Sequence, residues 1–152
     1  MASKVDNLWP PDVAASTKRL SPVAILRQQA TLLGQRTKNV VEAEVETKGT
    51  DFQRRLQHWF YLVAPGLDFY KYPLFLIEHD PTKFYPLRII WWNRIGAGTP
   101  SAKKRPTLAE RAKAKAELSA NSEEAFKAHL KRIFGDDQTK GVIQSLIDQS
   151  VG

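Results

Sequence analysis

The residues best suited to chemistry in this sequence are three histidines, His58, His79 and His129. Imidazole is the side chain whose ordinary pKa lies nearest neutrality, so it can give and take a proton there. His58 and His79 fall on two successive strand-like stretches. Two histidines on neighbouring strands, with Arg54 or Arg88 to hold a phosphate, would suit a small metal-free nuclease. The local pattern argues the other way. His58 sits between Leu56 and Phe60 on the face expected to be apolar, where a histidine is more often a hydrogen-bonded part of the interior. His79 stands in Glu78-His79-Asp80, and alternation sends it one way and both carboxylates the other. That triplet cannot converge on one metal. His129 lies beside an apolar helical stripe. No Ser or Thr has a nucleophile-elbow context, and Gly96-Ala97-Gly98 lacks the strand–Gly–helix setting of a phosphate loop. Neither a metal nor a cofactor is expected.

The aromatic residues carry more information. Of 15, twelve lie between Phe52 and Trp92. Trp59-Phe60-Tyr61 puts rings on both sides of one strand, and Trp91-Trp92 does so on another. A sheet with one wet face alternates apolar and polar residues along each strand. Residues 41–46 do so; the stretch from Trp59 onward does not. The second face therefore needs a cover. The lead segment with Trp9, the C-terminal helices, a second copy of the chain or another protein could supply it. Trp59, Tyr61, Trp91 and Trp92 are the expected protein-contact residues.

The chain carries net charge +7, and six of those charges sit between Arg94 and Lys115. The sequence there includes GAGTPSAKKRP, a composition of mobile loops. Residues 94–106 are expected to form a mobile basic arm. Lys103, Lys104, Arg105, Arg111, Lys113 and Lys115 would contact phosphates if the partner were nucleic acid. A run of charge more often merely keeps a segment solvated.

These residues need a scaffold, and the sequence outlines one. Residues 1–20, with Pro10 and Pro11, read as an irregular lead. Ser21-Pro22 is a helix start, followed by Val23, Leu26, Ala30 and Leu33 at helical spacing, with Gly34 as the stop. Residues 40–47 alternate, with Val41, Ala43, Val45 and Thr47 on one face and three glutamates on the other. A two-residue turn on Gly49-Thr50 would pair Lys48 with Asp51 and Glu44 with Arg55. Three further strands are expected over Phe52–Val63, Phe69–His79 and Tyr85–Trp92, with a bulge or late start at Pro73. Thr107 and Glu110 form a capping box for a short helix reaching about Leu118. Asn121 or Ser122 caps the next helix, whose stripe is Phe126, Leu130, Ile133 and Phe134, ending at Gly135. A last helix covers about Thr139–Gln149.

The order is helix, four-stranded antiparallel meander, then C-terminal helices packed on the sheet, an α+β fold forming a single domain over 21–152. The strands fall in one run, which excludes a parallel dinucleotide-binding sheet. With 152 residues, 42% hydrophobic, the chain can bury a core. It has no Cys, so disulfide scaffolds, Cys-ligated zinc and thiol catalysis are excluded, and a reducing cytoplasm is the expected setting. No apolar run reaches the ~20 residues of a membrane helix. The expectation is a small cytoplasmic, non-enzymatic binding module that works through an aromatic-rich sheet surface and self-associates or meets a protein partner. Nucleic-acid binding through the arm is the second reading, and the His58–His79 nuclease the third.

Overall fold

The structure is a computed structural model that describes residues 6–13, 19–49, 54–91 and 116–151. The basic stretch, Trp92 and the capping box at Thr107 lie outside the described residues. The first helix, α1, spans Pro22–Arg36. The Ser21 hydroxyl accepts from the Ala24 N–H at 3.2 Å, and Pro22 takes the first helical position. Gly34 does not stop α1. It lies buried inside the helix, which closes at Thr37, whose N–H donates to the Leu33 carbonyl.

Among the described residues five strands follow: β1 (Glu42–Gly49), β2 (Leu56–Ala64), β3 (Tyr70–His79), β4 (Leu87–Trp91) and β5 (Ala116–Ala120). They form one sheet in the order β1-β2-β3-β4-β5, each pair antiparallel. Two helices complete the chain, α2 (Glu123–Phe134) and α3 (Asp137–Val151). The fold is thus the expected helix, antiparallel meander and C-terminal helices, with one strand more. That strand, β5, replaces the end of the helix expected to reach Leu118. Its Ala, Glu and Leu residues favour a helix, but pairing with β4 sets Leu118 opposite Ile89 and buries Ala120 opposite Leu87. Tertiary packing outweighs propensity there.

The β1–β2 hairpin corrects a second expectation. Its last pair is Gly49 with Leu56, so the connection is a longer loop and not a turn on Gly49-Thr50. Glu44 faces Tyr61 and Ala43 faces Leu62, where Arg55 and Leu56 were expected. The slip is an even number of residues, so every side chain keeps its face. The observed register sets Val45 against Phe60 in place of Arg54. Burying apolar area in this way outweighs cross-strand charge pairs worth a few tenths of a kcal/mol. The expected start of the strand at Phe52 lies outside the described residues. Pro73 does mark a bulge: Phe60 pairs with Phe75 and Tyr61 with Pro73, leaving Leu74 as the extra residue on β3. Pro86 precedes β4, which is an inner strand of the sheet.

Strand parity gives the sheet two different faces. Phe60, Leu62, Phe75, Ile77, Leu87, Ile89, Trp91 and Ala120 point to one side. They share a hydrophobic core with Ile25 and Leu26 of α1, Phe126, Leu130 and Ile133 of α2, and Leu146 of α3. Ser122 caps α2 by accepting from the Ala125 N–H. The helices therefore cover this inner face. Leu8 and Trp9 in the lead segment stay exposed, and so do not tie down on the body. No described helix is long and apolar enough to cross a membrane.

Candidate functional site

β2 and β3 bring His58 and His79 together on the inner face. Leu56 is directly opposite His79, so His58 is its diagonal neighbour. The two Nε2 atoms are 3.0 Å apart and both residues are buried. The outer nitrogens are also engaged. His79 Nδ1 lies 2.8 Å from the Asp80 carbonyl, and His58 Nδ1 lies 2.8 Å from Thr47 Oγ1. A carbonyl only accepts, so His79 carries its proton on Nδ1 and presents Nε2 as an acceptor. His58 Nε2–H then donates to it, and the Thr47 hydroxyl donates to His58 Nδ1. The result is a directional chain from β1 through β2 to the end of β3. Burial, then electrostatic interaction with His79 and with Arg27, lowers the His58 pKa to about 4.

This arrangement brings the expected pair into contact but gives it no access. Each histidine spends its Nε2 on the other, so no phosphate fits between them. Arg54 lies in the β1–β2 loop with left-handed backbone, φ 50°. Arg88 projects from the opposite face of β4, where its guanidinium donates to Glu78 at 2.6 Å. Gln57 donates to the same carboxylate, and Arg55 stands 4.0 Å from it. Burial opposes the Glu78 charge, but the hydrogen bonds from Arg88 and Gln57 outweigh it and hold the carboxyl below its usual pKa. His79 and Arg88 both border a cavity of about 460 Å³ with Arg55 and Lys83, yet His58 does not. His129 lies away from all of these, its Nε2–H donating to the Ser119 carbonyl at 3.0 Å. Among the described residues no group of three or more His, Cys, Asp or Glu could hold a metal ion.

The outer face holds the other candidates. Trp59 stacks on Tyr61, ring centroids 6.0 Å apart and 11° from parallel. They project from alternate positions of β2, opposite Glu46 and Glu44 of β1. Lys48 lies over the Trp59 ring and Lys71 over the Tyr61 ring, at 5.2 and 5.8 Å. Lys71 also bridges Glu44 and Glu46, at 2.9 and 3.2 Å. Both rings are half-buried. Farther along the same face, Leu76 and Ile90 are buried beside them, outside the helix-covered core. Trp91 is not part of this surface. It is 1% exposed and belongs to the core, because its parity matches Ile89 and not Ile90. It is withdrawn as a contact residue. Trp92, Lys103, Lys104, Arg105, Arg111, Lys113 and Lys115 lie outside the described residues.

One feature no sequence pattern indicated is a cavity of about 460 Å³ between α1, α3 and the sheet. Apolar side chains line most of it, and Thr139 reaches it from the first turn of α3. In sequence these residues read simply as core. Comparison with family models, with curated proteins and with solved structures gave no match to this chain.

Proposed function

We propose that this chain is a non-enzymatic protein-binding module of the cytoplasm that self-associates through the outer face of β1 and β2. The observation that carries the proposal is the Trp59–Tyr61 stack, flanked by Lys48 and Lys71 and faced by Glu44 and Glu46, on the side of the sheet away from the helices. Aromatic anchors within a polar rim are the usual make-up of a protein contact. The patch also holds both signs of charge close together. A two-fold contact needs a surface complementary to itself, and glutamates beside lysines meet that need. The lack of Cys suits a reducing compartment. An enzymatic role for His58 and His79 gains no support from nitrogens that are all engaged internally.

Sedimentation over a wide concentration range tests the reading. The wild-type mass should rise with concentration, and Tyr61→Ala should hold the chain as a monomer while its circular dichroism stays unchanged. A wild-type monomer at every concentration would overturn self-association.

A further inference from the structure

The cavity between α1, α3 and the inner face of the sheet has three properties that suit a ligand site. The first is size. At about 460 Å³ the cavity falls in the range of small-molecule sites, roughly 300–1,000 Å³. Leu33, Phe60, Leu62, Leu74, Phe134 and Ile143 form apolar walls, and half-exposed Leu32 stands at the opening.

The second is an orphaned hydroxyl. Thr139 is 0% exposed, and among the described residues no group is hydrogen-bonded to its Oγ1. Thr139 stands in the first turn of α3, where no preceding helical turn offers its hydroxyl a carbonyl, and it borders the cavity. A buried polar group left this way asks for a partner.

The third is the rim. Gln29, Gln35 and Arg36 line the mouth, and no hydrogen bond or ion pair engages any of their side chains among the described residues. Among the described residues that line the cavity none is acidic, and the one that carries a formal charge is Arg36.

We infer that this cavity binds a small amphipathic carboxylate whose apolar body carries one hydroxyl or carbonyl. The apolar body fills the space between Phe60, Leu62, Leu74 and Phe134. Arg36 holds the carboxylate at the mouth, where water still reaches it and desolvation is small. Gln29 and Gln35 supply further hydrogen bonds there. The polar atom on the body meets the Thr139 hydroxyl. A carboxylate seated at Thr139 itself is disfavoured, because a single hydroxyl does not repay burial of a full charge. The site lies on the face of the sheet opposite Trp59 and Tyr61, so it stands or falls independently of self-association.

Titration of the ¹⁵N-labelled chain with 5-hydroxydecanoate, decanoate and decan-1-ol, below their micelle concentrations, tests this. The hydroxy acid should saturate one site and shift the amides of Leu33, Thr139 and Ile143. It should bind several-fold more tightly than decanoate, as one neutral hydrogen bond allows. Decanoate should bind about fivefold more tightly than the alcohol, as a rim-exposed charged hydrogen bond allows. Arg36→Gln should abolish the preference for the acid over the alcohol. Thr139→Val should abolish the preference for the hydroxy acid and raise the melting temperature by a few degrees, since it removes the orphan. A melting curve keeps each variant interpretable. No saturable shift at these amides with any of the three compounds would overturn the proposal and leave a cavity that holds only water. Preferences that survive both variants would overturn it too, as would shifts at these amides that follow protein concentration alone, because a second copy would then be the occupant.

Discussion

His58 is held neutral by its surroundings, and that has a pH consequence with a definite sign. Its pKa falls from 6.5 to about 4 on folding, chiefly through burial. The unfolded chain therefore binds more protons than the folded one below pH 6.5. His58 contributes its full share of stability above that value, and the share is lost as pH falls toward 4. The loss amounts to about 3 kcal/mol. Urea midpoints measured between pH 7 and pH 4 should drop steadily in the wild type. His58→Phe should flatten that drop, whatever its effect at pH 7. An equal drop in both would assign the pH response to other groups. The chain of hydrogen bonds sets a further limit. Protonating His58 requires the Thr47 hydroxyl to turn and accept from Nδ1, because Nε2 already faces His79 at 3.0 Å. In the sequence, parity put His58 inward and set His79 apart from its flanking carboxylates, without assigning it a face. Contact between the two histidines required the β2–β3 register, which spacing within either strand does not contain.

At the scale of elements, periodicity was a sound guide wherever an element has one buried face. The Ser21 and Ser122 caps, α1, α2 and α3 all follow from it, as do the strands through β4. It failed where composition and context disagree. β5 reads as helix because Ala, Glu and Leu are good helix formers, and pairing with the edge of β4 makes it a strand. It also failed where register decides. Charge pairs suggested the tight turn, while Phe60 and Leu62 drew Val45 and Ala43 into a different alignment. Gly49 consequently lies in β1 with open space where a Cβ would stand. Gly49→Val should leave stability unchanged or raise it, by up to about 1 kcal/mol. A turn glycine would instead lose about that much, so a denaturation curve separates the two. Leu26→Ala and Leu130→Ala, by contrast, each open a cavity at the centre of the core. Each should cost about 2–5 kcal/mol, read from the same curves. A loss well below 1 kcal/mol at either would mean that the helix does not stay packed on the sheet in solution. The Thr139 cavity was illegible for a different reason. It arises where two helices and a sheet fail to meet, and no single segment records that.

At the scale of the molecule, two surfaces compete for the role of recognition. One is the outer-face patch at Trp59 and Tyr61. The other is the basic stretch containing Lys103, Lys104 and Arg105, a composition read from sequence alone. Their physics differ. Phosphate neutralisation releases counterions, and each contact on duplex DNA steepens the dependence of log affinity on log salt by about 0.9. Replacing Lys103, Lys104 and Arg105 by Ala would then flatten that slope by roughly 2–3 units and weaken all sequences alike. An aromatic protein contact depends little on salt, since stacking and apolar burial are unscreened. The outer patch adds ion pairs of Lys71 with Glu44 and Glu46, but these are surface pairs worth ~0–1 kcal/mol. The expected outcome is that the triple variant keeps the wild-type mass at every concentration, while Trp59→Ala lowers it in both low and high salt. Sedimentation at two salt concentrations, with and without duplex DNA, decides the matter. Wild-type protein that holds the duplex at physiological salt, and loses it in the triple variant, would move recognition from the sheet to the basic stretch.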